Sequence, residues 1–364
     1  MAINTTSVIA GPVNYVFQMD LLRTAKPLCP YFMGTTPATL AQRDGTFSVT
    51  WRRIENLTPT TTALSELTGA VALPTRTGSN LSITNVTATV QKYGDFVFLN
   101  EEIDLVNYNG QAADIVRKLG IQSGRSLNRL QRNVAEDNLT AINAGTGSTA
   151  SVIIGSGTAS GFLTRAEVQI ATNQLDRQDA EKFTPMTTGS TNIGTSAVRE
   201  SYWGFCHPDT AHDLRVLTGF IQIQNYAGQV ETARGEVGYL DGVRFIETSE
   251  STIDATSGAG STGSATIDGR STATRFDLYR TVIIGRDCLG SVGFGEAHVK
   301  TTYQAGDSLP AIIMINHERG SAGAGDPLNE LQTMGWKAWH GGAVLNTNWG
   351  RVVNHASHVL DSAD

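Results

Sequence analysis

The chain is poor in charge. Asp, Glu, Lys and Arg make up 17% of its 364 residues, beside 38 glycines. That balance excludes an all-helical protein and favours strand, turn and irregular backbone, while 40% hydrophobic content excludes a disordered one. Cysteine is scarce and odd in number: Cys29, Cys206 and Cys288 are far apart, which fits a reducing compartment and excludes a disulfide framework. There is no basic excess. At a net charge of −7 the chain lacks the cationic footprint of a phosphate-binding protein, so any contact with nucleic acid is expected to be weak or local. No apolar run approaches the length that spans a bilayer, and MAINTTSVIAG has neither the basic nor the apolar region of a signal peptide, so no membrane partner is expected.

Catalytic patterns are missing too. There is no HExxH and no CxxC; His317-Glu318 is only a fragment of the former. His207 with His212, and His355 with His358, lack the three or four converging ligands that zinc needs. No G-x-S-x-G elbow occurs, and Cys206 and His207 would point apart on a strand. The runs GTGSTASVIIGSG and GSVGFGEAH match neither a phosphate loop nor a dinucleotide fingerprint and read as turns. Glu101 and Glu102, adjacent on an expected strand, would face opposite ways and suit an interface better than acid–base work. The expectation is a protein that is not an enzyme and takes no cofactor or metal.

What is present begins at Phe47. In FSVTWRRIENL the residues Phe47, Val49 and Trp51 alternate with Ser48, Thr50 and Arg52, the period of a strand. A return arm starts at Ile83 and Val86 and runs into Phe96-Val97-Phe98-Leu99. Between the arms lie roughly thirty residues punctuated by Pro59, Gly69, Pro74 and Gly78, a length compact domains reserve for a task. With little apolar content, that loop suits an arm laid on a neighbouring subunit. On this hairpin one of Arg52 and Arg53 is expected to support the sheet surface and the other to reach a carboxylate of another chain.

A helical stretch follows, from about Gln111 to Asn143 with Gly145 as its stop. Leu127, Leu130, Val134 and Ala141 share one face; Arg125, Arg129, Arg132 and Glu136 share the other, read as solvated and able to meet DNA weakly. Gly120 and Gly124 interrupt it as places for a bend. A second helix is expected over Thr164–Lys182, with Thr164 and Glu167 forming a capping box. YWGFC reads as a strand, His207-Pro208-Asp209 as a helix start, and Asp241-Gly242 as a hairpin turn. The tract from Asp254 to Thr274 is almost all Ser, Thr, Gly and Ala and reads as a surface insertion. RTVIIGRDCLGSVGF, PAIIMINHE and two C-terminal runs complete the strands. Trp336, Trp339 and Trp349 read as core or interface residues.

The order and spacing of these pieces resemble the major capsid proteins of tailed phages, nearest the N-four-like family of short-tailed phages. The resemblance is carried by WRR at 51–53, QKYGDFVFLNEEID at 91–104, HPD at 207–209, GYLDGVRFIET at 238–248 and GWKAWHGGAVLN at 335–346. It implies an α+β chain with the Hong Kong 97-like phage capsid fold. The N-terminal arm would be 1–44, the extended loop 45–100, and the spine helix with its connection 101–161. An axial domain would cover 162–295 with the insertion at 254–274, and strands at 296–364 would complete the peripheral domain. It implies copies of the chain in pentamers and hexamers of an icosahedral shell around double-stranded DNA, in a virion assembled in the bacterial host cytoplasm. Scaffolding protein, portal and decoration proteins would be its other partners. Arg52, Arg53, Glu101 and Glu102 are then suspected inter-subunit contacts, and Gly120 and Gly124 the bend of the spine helix during maturation. A phage tail, fibre or decoration protein is the rival reading; it accounts for the polar loops but not for the long helix.

Overall fold

The fourteen residues from Leu331 to Val344 form the strand on which half of the molecule is built. In the computed structural model the elements in chain order are β1 (Thr35–Leu40), β2 (Ser48–Ile54), β3 (Ile83–Thr89), β4 (Gln91–Asn100), α1 (Gln111–Asn138) and β5 (Thr140–Asn143). They continue through α2 (Arg165–Asp176), β6 (Tyr202–Cys206), α3 (Pro208–Val216), β7 (Ile221–Gln222), β8 (Glu236–Leu240), β9 (Val243–Glu247) and β10 (Ile253–Asp254). The last are β11 (Leu278–Ile284), β12 (Leu289–Phe294), β13 (Ile312–His317), β14 (Leu331–Val344) and β15 (Gly350–His355). The structure describes residues 21, 24–25, 29–40, 46–61, 80–102, 111–145, 161–184, 197–226, 233–254, 277–294, 312–320, 328 and 330–357. The first half of the expected arm, the outer part of the hairpin loop, the connection after Gly145 and nearly all of the Ser/Thr/Gly tract lie outside those residues.

The two edges of β14 are used differently. One pairs with β4, Leu331↔Asn100 through His340↔Gln91. The other is shared end to end, by β13 along Thr333–Ala338 and by β12 along His340–Val344. β1 then runs parallel to β12. The late strands thus return to the early ones, as the order of elements led one to expect. Met334, Trp336 and Ala338 alternate along β14 and bury against Val116, Leu119 and Leu127 of α1. The second sheet has the order β5-β15-β11-β6-β9-β8-β7, with β10 also on β11. α2 and α3 cover it through Val168, Ala171, Leu175, Ala211 and Leu214, packed on Tyr202, Phe245 and Val353.

The sheets shift two expected boundaries. β12 (289–294) sits in the five-stranded sheet, not with the strands of 162–295. β15, at the C-terminal end, sits in the eight-stranded sheet beside β11, not with the strands of 296–364 that complete the other one. The long helix also ends earlier than its periodicity suggested. It stops at Asn138, and Thr140–Asn143 pair with Arg351–Asn354 as a parallel strand, so Ala141 is no part of the helical face. A ladder with β15 outweighs the propensity for one more helical turn. Gly145, at φ 78°, follows the strand. The second helix ends at Asp176, since the Leu175 carbonyl takes both Gln178 and Ala180 N–H while Asp179 turns to φ 53°. Its capping box at Thr164 and Glu167 forms as expected.

α1 runs unbroken through Gly120 and Gly124. The described residues show what the glycines do there. A side chain on Gly120 would begin 2.8 Å from the Leu21 carbonyl, and one on Gly124 would begin 2.6 Å from that of Ala25. They are the seat on which an N-terminal helical segment crosses α1. Cys29 then closes the crossing with its thiol on the Gly124 carbonyl at 3.2 Å.

Candidate functional site

The hairpin β2–β3 is anchored to its own chain at its base. From Ser48↔Thr89 to Ile54↔Ile83 the arms pair in register. Period two then sends Val49, Trp51 and Ala88 to one side, where they pack with Val292, Trp339 and Ala343 of the five-stranded sheet. Arg53 shares that side. Its guanidinium holds Glu55 at 2.5 and 2.8 Å and donates to the Leu345 carbonyl at 2.7 Å, while Thr84 donates to the same Glu55 oxygen at 3.0 Å. The hydrogen bonds from Arg53 and then Thr84 hold the Glu55 carboxyl below the usual range. Arg53 is therefore the member of the pair that supports the sheet, engaged within the chain. Arg52 is exposed on the other side with Ile54 and Ile83. Leu57 and Leu81 extend that exposed apolar edge toward the loop.

Glu101 and Glu102 do not continue β4. They open a helical turn beyond Asn100, so the opposite-face argument for a strand does not apply to them. Glu101 N–H donates to the Glu330 carbonyl at 2.9 Å, and Glu102 is exposed. Next to them β4 carries the other large apolar surface. Phe96 and Phe98 meet edge to face at 5.1 Å, each 59% exposed, on the side of the sheet away from α1. The strand's outward Phe96 N–H is capped by Asp95 Oδ1 at 2.9 Å, which Gln122 of α1 ties back at 2.5 Å through the other carboxylate oxygen. That capping discourages a new strand from pairing along this edge and leaves the aromatic face exposed.

The Arg face of α1 is exposed at Arg125 and Arg129, as its spacing suggested, but it is also ion-paired. Arg125 and Arg129, one turn apart, each put Nε on a different oxygen of Glu250, and Arg132 donates to the Glu250 backbone carbonyl. Glu250 lies in the turn between β9 and β10 and is 4% exposed. Burial pushes its carboxyl up, but the hydrogen bonds and charges of Arg129 and Arg125 outweigh this and hold it below the usual range. Glu136, expected on an exposed face, is buried beside Arg132 at 3.9 Å and Arg280 at 3.8 Å; burial raises its pKa in spite of them. The clamp ties the helix that supports one sheet to a turn of the other. Glu250 itself was invisible in the sequence, because nothing local pairs it with residues more than a hundred positions away.

The remaining candidates are structural. His207 caps α3 by accepting from Asp209 N–H at 3.3 Å, and Cys206 is buried, its thiol pushed up by desolvation. His355 is buried on Thr281 at 2.8 Å. Trp336, Trp339 and Trp349 separate into three packing clusters. Among the described residues no three His, Cys, Asp or Glu side chains gather as a metal site, and no helix is long and apolar enough to cross a membrane. Among the described residues, the hairpin edge at Ile54 and Ile83 and the Phe96–Phe98 face are exposed apolar surfaces.

Residues 133–309 match the phage capsid protein family. No curated protein matches by sequence. Among solved structures, the capsid of Ralstonia phage GP4 is similar with a TM-score of 0.58 at 13% identity, covering 91% of this chain and 88% of that one. The capsid of the cyanophage P-SCSP1u is similar with a TM-score of 0.52 at 12% identity, covering 89% and 86%. The family match covers the middle of the chain and the structural likeness nearly all of it, so this α+β chain has the Hong Kong 97-like phage capsid fold.

Proposed function

We propose that the chain is the major capsid protein of a tailed phage of the N-four-like, short-tailed kind. It forms pentamers and hexamers of an icosahedral shell around double-stranded DNA and works by geometry, with no catalysis and no cofactor. The observation that carries this reading is the divided hairpin. One side of its base is bolted to the chain's own sheet by Trp51 and Arg53, while the other side presents Arg52, Ile54 and Ile83 with no internal use. An arm rigid at its base and apolar outside enlarges a heterologous contact without enlarging the core. Obligate contacts of that kind bury about 2,000 Å² or more. Arg52 and Glu102 are the charged residues assigned to the neighbouring copies, with Arg53 and Glu101 supporting them from within. The eight-stranded sheet is assigned to the axial domain and the five-stranded one to the peripheral domain, with maturation flexing α1 where the N-terminal segment crosses it at Gly120 and Gly124. Scaffolding protein, portal and decoration proteins are the further partners, contact with packaged DNA is weak, and the shell is assembled in the host cytoplasm. Negative-stain microscopy of the purified protein tests this. Shells, or rings of five and six, are expected; fibres or tubes would favour a tail protein, and a monomer at high concentration would sink the assembly reading.

A further inference from the structure

Three elements converge on one buried polar spot in the five-stranded half. His340 is the next residue on the buried side of β14 after Met334, Trp336 and Ala338, and it is 3% exposed. The Phe32 ring, from the short helix Pro30–Gly34, lies against it, centroids 5.4 Å apart at 63°. Beside Phe32, Tyr31 N–H donates to Asn128 Oδ1 of α1 at 3.1 Å. Two residues along β14 on the same side, the space over Gly342 is filled by Gln131, whose Oε1 stands 2.7 Å from where a side chain would begin. Asn128 and Gln131 are three apart on α1 and fully buried. Four polar atoms in this junction have no partner among the described residues: both ring nitrogens of His340, Nδ2 of Asn128 and Oε1 of Gln131.

Their chemistry is complementary. A neutral imidazole has one N–H donor and one bare nitrogen acceptor; the amide nitrogen of Asn128 donates and the amide oxygen of Gln131 accepts. The match holds for the neutral ring alone. An imidazolium has two donors and no acceptor, so it offers nothing to the Asn128 amide donor.

Among the described residues no charge is at hand to rescue a cation. The polar side chains that α1 brings to the junction are Asn128 and Gln131, since Arg125, Arg129 and Arg132 are turned to Glu250. From the short helix come Phe32 and Tyr31, whose hydroxyl is bonded to Ser251 at 3.1 Å. β12 places Gly293 opposite His340, and β4 places Gln91 there.

We propose that His340, Asn128 and Gln131 form an acid-sensitive lock that holds α1 and the short helix Pro30–Gly34 on β14 while the imidazole is neutral and releases them when it is protonated. Burial lowers the pKa of His340 to about 4, from an ordinary 6.5. A depressed histidine contributes stability that is complete above the unfolded value and drains away as pH falls toward the folded one. At about pH 5 this single group should shift the unfolding equilibrium about thirtyfold relative to about pH 8. Carboxylates with lowered pKa values, such as Glu250 and Glu55, act only at lower pH. Glu136 and Glu236, raised by burial, act in the opposite sense and equally in wild type and variant.

The test compares denaturant unfolding of the full chain with that of His340→Gln, whose side chain keeps one donor and one acceptor without titrating, from about pH 8 to about pH 5. His355→Gln serves as a control, because His355 is also buried and depressed to about 4. The expected result is that His340→Gln loses about thirtyfold of the acid sensitivity and that the two substitutions combine multiplicatively. An acid profile in His340→Gln identical to wild type would overturn the proposal. Should that variant fail to fold, deuterium exchange at the imidazole C2 carbon of the wild-type chain, read by mass spectrometry against pH, decides the matter. No midpoint near the ordinary value of about 6.5 supports the lock, and a midpoint there removes it.

Discussion

The Trp51 ring stands 2.9 Å from where a side chain on Gly290 would begin, so the hairpin rests on the sheet at a point where only hydrogen fits. The Leu345 methyl crowds the same point at 3.0 Å. Gly290→Val should therefore lift the hairpin base while leaving both sheets intact. Trp51→Ala should lower stability by about 2 kcal/mol, less than a fully buried tryptophan because the ring is only partly covered. Urea denaturation gives the second figure, and faster proteolysis confined to residues 46–61 and 80–90 would report the first. Equal cleavage in wild type and Gly290→Val would show that the base is not held there.

Glu250 is the keystone of the α1 clamp. Removing it leaves two arginines aimed at nothing, whereas removing Arg125 or Arg129 leaves the other in place. Glu250→Gln should lower stability by about 2–3 kcal/mol, and Arg129→Ala by about 1 kcal/mol. The ordering is checked by thermal melting at neutral pH. The sign with pH follows from the lowered pKa: the carboxylate's contribution is present above the ordinary glutamate range of about 4.3 and is lost as pH falls below it. An Arg129→Ala variant less stable than Glu250→Gln would contradict the keystone role.

That clamp marks the limit of what the sequence disclosed. Local patterns were legible: the alternation at Phe47–Trp51, the Thr164 capping box, and the Asp241-Gly242 turn, whose φ values of 42° and 92° are those of a tight hairpin. Each rests on neighbours within four residues. The Arg face of α1 was legible as a face but not as a contact, because its partner lies at Glu250, and amphipathicity says nothing about which polar groups a neighbour supplies. The end of α1 was misplaced for a related reason: Thr140–Asn143 are strand only because β15 is beside them. Gly120 and Gly124 read as weak points of a helix, since local propensity cannot register a second helical segment resting on them. His340 gave no signal at all, being a lone histidine among apolar residues.

The helix phase is checked at Leu127 and Leu130. Leu127 is fully buried against Met334 and Trp336, whereas Leu130 is only partly covered. Leu127→Asp should prevent folding or lower stability by more than about 4 kcal/mol, since a charge there finds neither water nor a partner. Leu130→Asp should lose roughly half as much. Comparable melting temperatures for the two would mean that the helix is rotated from the orientation described.

Gly124→Ala separates propensity from packing. In a bare helix the change is favourable by about 1 kcal/mol. Here the added methyl would begin 2.6 Å from the Ala25 carbonyl and 3.0 Å from its Cα, both backbone atoms that cannot step aside alone. The crossing segment must move, and the Cys29 thiol loses its place on the Gly124 carbonyl. Net destabilisation of about 1–3 kcal/mol is expected, with Cys29 becoming reactive to a thiol reagent in the folded protein. A stabilised variant with an inert Cys29 would show that the segment does not seat on α1.

The outward side of the hairpin offers the sharpest separation of folding from assembly. Ile54 and Ile83 face each other across the two arms and are 59% and 50% exposed, so neither supports the core. Apolar pairs so placed are normal singly, but Leu57 and Leu81 continue them into one surface with no use among the described residues. Ile54→Lys with Ile83→Glu replaces that surface by an opposite-charge pair. The exchange favours the hairpin itself by a few tenths of a kcal/mol and so spares the fold. It also forces a partner to desolvate two charges, at several kcal/mol per contact. Repeated around every ring, that cost opposes the assembly contact. The double variant should melt within about 1 °C of wild type and remain dispersed under conditions in which the wild-type protein forms particles, as read by light scattering and negative-stain microscopy. Normal particles from a normally folded variant would place the assembly contact elsewhere, with the Phe96–Phe98 surface as the next to alter; loss of folding would mean that these isoleucines are covered within the chain after all.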